Sequence, residues 1–316
     1  MRITVLDAAT LGEDITLSSL EAVGDLTIYY NTKAEELADR IRDCEILITN
    51  KIKLNRSNLI YAKKLKLICV TATGYDNIDI EYCRENNIAV CNVVGYSTDS
   101  VAQITVTMAL SLYSKLGEFN NFVKSGEYSE SGVANRLSPV YRELRGKTWG
   151  IIGGGNIGMQ VLRCAEAFGC KTLVFKKTPV PGLNCVDIDT LCRESDIISV
   201  HLPLSEETRN IIDEKRIKLM KNDVVFINVA RGAVTDEKAL AEAVKNGEIG
   251  AIGIDVYSVE PFGKEHPFYE IKDLPNVCLT PHMAWGSYEA RCRCVDEIVM
   301  NIQAFMRDEK RNRVDL

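Results

Sequence analysis

Short apolar runs of strand length alternate with amphipathic stretches of helix length from one end of the chain to the other. No other feature restricts the fold as much. Strands separated by a helical segment pair in parallel, because a parallel connection must cross back over the sheet and a helix provides that crossover. In the first third, Ile3–Leu6, Leu26–Tyr30, Glu45–Thr49, Leu67–Val70 and Ile88–Cys91 read as strands, with amphipathic stretches at Ala34–Arg42 and Asn55–Lys64 between them. Asp99–Phe122 reads as one long helical stretch with Ala, Met and Leu spaced for burial, and the polar Ser125–Ser138 as a surface connection.

A second series begins at Lys147, with strands expected at Thr148–Ile152, Thr172–Phe175, Ile197–Val200, Val224–Val229, Ile252–Val256 and Val277–Leu279. Several of these are apolar throughout, so helices should cover both faces of the sheet. The last stretch, Ser287–Arg307, reads as a helix, with Glu297 set against Ile298, Ile302 and Phe305. The expected fold class is α/β, with two doubly wound parallel-sheet domains. Periodicity leaves open which of the two the last helix joins.

Composition narrows the functions. The 316 residues exceed what one compact core needs, and they carry a formal charge of −6. That balance argues against nucleic acid as a partner, since phosphates require a basic face. No apolar run reaches the roughly 18 to 20 residues that span a bilayer. Met1–Asp7 reads as a first strand reaching an acidic residue rather than as a signal-peptide core, so a cytoplasmic protein is expected. The 11 cysteines lie mostly singly in apolar segments, and the one close pair, Cys292-Arg293-Cys294, lacks zinc or redox spacing. Reduced thiols acting as small hydrophobes are expected, and no metal site.

Gly153-Gly154-Gly155-Asn156-Ile157-Gly158 fits G-x-G-x-x-G, and its setting matters more than its letters. It follows the strand Thr148–Ile152 directly and opens a helix through Met159–Phe168. Gly153 permits the tight turn, Gly155 lets a pyrophosphate approach the backbone, and Gly158 allows close helix-to-strand packing. Phosphate then meets free N–H groups at a helix N-terminus. A glycine cluster alone is weak, since many turns are glycine-rich; between strand and helix it points to a dinucleotide.

At the end of the next strand, 18 residues after Gly158, an NAD-binding chain usually carries Asp or Glu for the ribose hydroxyls. This chain has Lys176-Lys177-Thr178. Ammonium groups cannot accept those hydrogen bonds, but they can neutralise a 2′-phosphate, which favours NADP over NAD. The alternative is that both lysines are solvated and NAD binds without a carboxylate partner.

Three motifs at strand ends follow: Asn228-Val229-Ala230-Arg231-Gly232, Asp255 to Pro261, and Thr280-Pro281-His282. Ligands of open parallel sheets bind beyond the carboxyl ends of the strands, so Arg231, Glu260 and His282 are candidates for one site. Their chemistry suits oxidation of a 2-hydroxy acid. A histidine takes the hydroxyl proton as hydride leaves, a carboxylate orients it, and an arginine grips the substrate carboxylate in two-pronged fashion. Singly, each has a plainer reading: a surface charge, a loop residue, a turn. Of the three histidines, His266 lies in the polar loop Gly263–Pro267 and is expected to be exposed. His201 ends a strand and is placed to flank a cofactor. His282 is the base expected.

With these motifs the chain resembles the D-isomer-specific 2-hydroxyacid dehydrogenase family nearly end to end. Ala72-Thr73-Gly74-Tyr75-Asp76-Asn77-Ile78-Asp79, the glycine loop, His201-Leu202-Pro203-Leu204, Arg231 to Glu237 and the Glu260 and His282 motifs carry the likeness. The resemblance implies catalytic roles for Arg231, Glu260 and His282. It implies a discontinuous substrate domain of residues 1–98 and 287–316, flavodoxin-like, with a Rossmann coenzyme domain of residues 99–286 inserted. It further implies that Thr73 and Gly74, with Arg231 and His282, bind substrate. Asn156 and Ile157 would meet the pyrophosphate, Leu202 and Pro203 the adenine side, and Asp255 the nicotinamide carboxamide. Thr208, Val229, Ala230, His282 and Ala284 complete the implied cofactor contacts. The helix from Asp99 would help form a two-fold homodimer.

Gly95 to Gln103 and His282 to Arg291 look most like the glycerate dehydrogenase (hydroxypyruvate reductase) branch, where Gln103 replaces a Glu of many relatives. Lys176 departs from the Asp of most relatives, and the length leaves no room for the regulatory domain of some phosphoglycerate dehydrogenases. A hydroxypyruvate or glyoxylate reductase is the leading expectation, with D-lactate or another 2-keto acid as rival substrate. Glu260 disfavours a formate-type enzyme, whose pattern has Gln there. A dinucleotide-sensing scaffold like the family's corepressors is the reading from another class, and a periplasmic binding protein would have no use for the glycine loop.

Overall fold

The structure, a computed structural model, describes residues 1–316. The chain divides into two compact units, Met1–Ser97 with Gly286–Leu316, and Thr98–Trp285. The first unit holds strands β1 (Arg2–Val5), β2 (Asp25–Ile28), β3 (Ile46–Thr49), β4 (Leu67–Val70) and β5 (Ala89–Cys91) with helices α1 (Ala34–Ile41), α2 (Arg56–Leu59) and α3 (Ile80–Glu85). Its strands pair in parallel in the order β2-β1-β3-β4-β5, the flavodoxin-like order, with the direction of winding reversed between β1 and β3. β3, β4 and β5 are buried along their whole length, as runs covered on both faces must be.

Asp7 follows β1 at that reversal. Its carboxylate accepts from Asn50 N at 3.0 Å and Lys51 N at 2.7 Å, so it holds the loop after β3. Burial pushes its carboxyl above the ordinary Asp value, against those donors.

The second unit begins with α4 (Thr98–Tyr113), α5 (Leu116–Lys124) and α6 (Glu127–Glu130). The sheet series follows as β6 (Thr148–Ile152), α7 (Asn156–Ala167), β7 (Lys171–Phe175), α8 (Ile188–Glu194), β8 (Ile197–Val200), α9 (Glu214–Ile217), β9 (Val225–Asn228), α10 (Glu237–Lys245), β10 (Ala251–Ile254), α11 (Pro267–Ile271) and β11 (Val277–Leu279). The last helix, α12 (Tyr288–Met306), belongs to the first unit and packs on β4. Thr98 and Gly286 therefore fall on the other side of the boundaries read from sequence.

The second sheet is parallel throughout, in the order β11-β10-β9-β8-β6-β7. Beyond β7 lies one more parallel bridge, Val174 to Cys185, closed by Val174 N to Asn184 O at 2.9 Å and Val186 N to Val174 O at 3.0 Å. With this one-bridge strand counted third, the order is the 3-2-1-4-5-6 of dinucleotide-binding sheets, and β11 is a seventh strand at the edge. The winding reverses between β6 and β8, where the glycine loop leaves the sheet. Trp149, Ile151, Ile197 and Ile227 fill one face against α4 and α7, and Phe226, Ile252 and Phe268 the other.

Two helices differ from their sequence reading. Asp99–Phe122 is not one helix: it breaks at Lys115, whose backbone is left-handed at φ 54°, and α5 buries none of its residues. The apolar spacing continues past the break, but Tyr141, Tyr128 and Arg136 cover Phe119 and Phe122 only in part, and Leu116 and Val123 stay exposed. Asn55–Lys64 contains only the single turn of α2, after which successive tight turns deliver the chain to β4. The strands lie where the apolar runs place them, with ends moved by one or two residues. All 11 cysteines are free and none is exposed. Burial pushes the thiols of Cys44, Cys192 and Cys294 up to about 12, which keeps them protonated and unreactive.

Candidate active site

The glycine loop has the space and the donors of a phosphate cradle. Gly153 sits at φ 109°, and a Cβ there would lie 2.6 Å from the His201 carbonyl oxygen. A Cβ on Gly158 would lie 2.0 Å from the Gly153 carbonyl, so the first turn of α7 packs directly on the loop. Gly155 faces open space, and as N-cap of α7 it brings no side-chain cap to the helix N–H groups. Asn156 and Ile157 are the first two residues of that uncapped helix.

Around the loop, His201 is the unusual group. Its Nε2 pairs with Ser199 Oγ at 2.9 Å, and the same hydroxyl accepts from Trp149 Nε1 at 3.0 Å. Its Nδ1 is buried without a hydrogen-bond partner. Burial drives the imidazole down to about 3, so it is neutral. Leu202 and Pro203 follow, and Thr208 folds back on this segment, its hydroxyl donating to Pro203 O at 2.7 Å.

The two lysines after β7 differ from each other. Lys177 is exposed and pairs with Glu207 at 2.9 Å. Lys176 leans over the loop, its Cδ 3.2 Å from where a Cβ on Gly154 would stand.

The other candidates gather at the carboxyl ends of β9, β10 and β11, three neighbours in the sheet. His282 Nδ1 lies 2.7 Å from Glu260 Oε2. An ionised carboxylate can only accept, so Nδ1 carries the proton and Nε2 is left for other work. The other carboxylate oxygen of Glu260 accepts from Tyr257 N at 3.0 Å. His282 itself has a left-handed backbone at φ 51°. Asp255 holds it there: its carbonyl accepts from His282 N at 2.8 Å, and its carboxylate from Thr280 Oγ1, Met283 N and Ala284 N at 2.6, 2.9 and 2.9 Å. Asp255 is 1% exposed, and burial raises its carboxyl in spite of these donors. This clamp on the histidine turn has no signature in residue spacing. In the sequence Asp255 is a member of the Glu260 motif and an implied contact of the nicotinamide carboxamide, and neither reading points to this clamp.

Arg231 follows β9 on a turn fixed by Asn228, whose Nδ2 donates to Arg231 O at 2.9 Å and whose Oδ1 accepts from Ala230 N at 3.0 Å. Gly232 packs against the next motif, since a Cβ there would come within 2.1 and 2.2 Å of Tyr257 C and Ser258 N. The Arg231 turn and the Glu260 segment are thus in direct contact. Val229 is buried beneath them, and Ala284 is buried with its carbonyl accepting from Ser100 Oγ at 2.6 Å.

Thr73 and Gly74 lie in the first unit on the loop after β4, where Asn92 Nδ2 donates to Thr73 O at 2.7 Å. His266 corrects the expectation of exposure. Its side chain is 8% exposed and bonds Glu237, because the loop after Glu260 folds back over the start of α10. No cluster of His, Cys, Asp or Glu could hold a metal ion, and no helix is long and apolar enough to cross a membrane.

Comparison with known proteins identifies the chain's relatives. Residues 106–284 match the NAD-binding domain of D-isomer-specific 2-hydroxyacid dehydrogenases. The glycerate dehydrogenase of Methylorubrum extorquens is 35% identical over 316 residues, 99% of either chain. An acyclic imino acid reductase solved with NADPH and D-arginine superposes with a TM-score of 0.87 at 31% identity, over 99% of this chain and 100% of that one. The D-lactate dehydrogenase of Aquifex aeolicus, solved with NAD and lactic acid, gives 0.88 at 29% identity, over 100% and 99%. With a family match over more than half its length and a full-length relative at that identity, the chain belongs to the D-isomer-specific 2-hydroxyacid dehydrogenase family.

Proposed function

We propose that this protein reduces a small 2-keto acid, hydroxypyruvate or glyoxylate, to the corresponding D-2-hydroxy acid, with Arg231, Glu260 and His282 as its catalytic residues. The observation that carries the proposal is the 2.7 Å contact between His282 Nδ1 and Glu260 Oε2 at the ends of neighbouring strands. The Glu260 carboxylate holds the Nδ1 proton, so Nε2 gives a proton to the keto oxygen in reduction and takes it back in oxidation. It also stabilises the imidazolium that exists between the two. Arg231 supplies a planar pair of donors to the substrate carboxylate and polarises the keto oxygen. The motif Ala72 to Asp79 supports a substrate-binding role for Thr73 and Gly74 as well.

The residues present fit a nicotinamide dinucleotide. Gly153, Gly155 and Gly158 leave the cradle open, Asn156 and Ile157 begin an uncapped helix, and the unpartnered His201 Nδ1 beside Gly153 offers a buried polar group. Leu202, Pro203 and Thr208 would line the adenine side, and Val229, Ala230, Asp255 and Ala284 the nicotinamide side. When bound, the dinucleotide supplies or accepts the hydride at C2 of the substrate. Lys176 over Gly154 favours NADP, whereas Lys177 is engaged by Glu207 and contributes less than the sequence suggested. Homodimers are proposed as the working form, supported by the exposed apolar side chains of Leu116, Val123, Leu137 and Val140.

A steady-state assay of hydroxypyruvate, glyoxylate and pyruvate with NADPH and with NADH tests the proposal. Turnover of one of the first two should exceed that of pyruvate. His282→Ala should lower kcat on the order of 10²–10⁴-fold, the usual worth of a positioned acid–base group. Retained turnover in that variant sinks the assignment, faster pyruvate reduction shifts the substrate to lactate, and no turnover with any keto acid favours a sensing scaffold.

A further inference from the structure

Glu237 opens α10, yet its carboxylate turns to the loop between β10 and α11. Oε1 accepts from Ser258 N at 2.9 Å, and Oε2 accepts from the Ser258 hydroxyl and from His266 Nε2, the latter at 3.1 Å. The Glu237 and His266 side chains are 9% and 8% exposed. The tautomer of His266 is set from its far side, where Nδ1 accepts from Phe268 N at 3.2 Å and caps α11. The ring proton is therefore on Nε2 and directed at Glu237. Phe262, Phe268 and Tyr257 surround the imidazole with ring centroids 4.9, 5.2 and 6.0 Å away. A buried carboxylate with all its donors in place, locked to a ring packed on three sides, is a stiff joint.

The joint holds the segment that carries Glu260. Ser258 is the gripped residue, Tyr257 N donates to Glu260 Oε1, and Glu260 Oε2 meets His282. Tyr257 is pinned independently, its hydroxyl donating to Thr280 O at 2.9 Å in the turn before His282. On its other side the segment rests on Gly232, next to Arg231. One carboxylate on α10 thus ties the Glu260 segment, which packs on Gly232 beside Arg231, to the His266 loop.

We propose that Glu237 and His266 are positioning residues for the reaction: through Ser258 they set the Tyr257–Phe262 segment so that Glu260 meets His282 beside the Arg231 turn. This inference rests on the proton-transfer role given to Glu260 and His282 above. The two residues act through Glu260 and not on the substrate.

The test uses the full-length protein labelled with ¹⁵N-histidine. Only three histidines are present, so the His282 Nδ1–H resonance is assignable by substitution of each. Glu237→Ala and His266→Leu should broaden or abolish that resonance and lower kcat roughly 10- to 100-fold, more than they change KM, as expected for a small misplacement of reacting groups. His266→Gln, which keeps an N–H directed at Glu237, should recover most of both. Ser258→Ala, which removes only the hydroxyl bond, should give a smaller loss in the same direction and serves if the larger changes unfold the chain. An intact resonance and full kcat in Glu237→Ala or Ser258→Ala, with the resonance lost in Glu260→Leu, which removes the acceptor, would overturn the positioning role and leave the proposed function standing. A resonance and kcat unchanged in Glu260→Leu would overturn both.

Discussion

The proposed preference for NADP turns on one side chain, Lys176. The position follows β7, where a carboxylate would hold ribose hydroxyls, and an ammonium there would instead favour a 2′-phosphate. Its neighbour Lys177 already spends its charge on Glu207, an exposed pair worth little to stability but enough to bias where the ammonium sits. Lys176→Asp should therefore shift the ratio of kcat/KM for NADPH over NADH toward NADH, and Lys177→Ala should shift it much less. An unchanged ratio in the first variant would remove Lys176 from the cofactor site. At this scale the candidates for the reacting groups were legible because few residue types do acid–base work near neutrality and the chain has only three histidines. The environment of His266 was not legible, since a histidine in a polar loop carries no mark of the carboxylate that buries it.

At the scale of elements, β6 and β8 are joined by more than their ladder. Trp149 on β6 donates to Ser199 on β8, and Ser199 pairs with His201 just beyond the strand end. Ser199 is the one hydroxyl in an otherwise apolar strand, a signal visible in Ile197–Val200. Burial keeps His201 neutral, and this has a consequence for acid stability. Its folded-state value lies near 3 against an ordinary 6.5, so the unfolded chain binds a proton that the folded one refuses. The stability it leaves intact above pH 6.5 is lost as pH falls from 6.5 toward 3. Urea unfolding of the cofactor-free protein across that window should show a steeper decline in the wild type than in His201→Gln. Equal slopes would mean that the imidazole is hydrated or paired. The helices were less legible than the strands. A strand buried on both faces must be apolar along its length, whereas α4 and α5 share one apolar spacing that a single left-handed residue, Lys115, interrupts.

Across the molecule, the exposed apolar side chains concentrate between Leu116 and Tyr141 in the second unit. Leu137 is 79% exposed and Val140 73%. The homodimer proposed above would cover these side chains with a second copy of the chain. Leu137→Asp combined with Val140→Asp should convert a dimer into a monomer in sedimentation velocity experiments, with β-sheet circular dichroism retained. A wild-type protein that sediments as a monomer at micromolar concentration would remove the dimer altogether.

By itself the amino-acid order determined the alternation of strands and helices, the glycine loop and the three chemical groups at strand ends. Each is a local property: a period, a turn that only glycine can make, a side chain whose chemistry is its own. Tertiary structure alone decided that the Val174–Cys185 bridge completes the dinucleotide-binding strand order, that Asp255 clamps the histidine turn and that Glu237 bonds both Ser258 and His266. Those links join residues far apart in the chain, and a hydrogen bond between distant segments leaves no trace in spacing because its geometry exists only after the strands have paired.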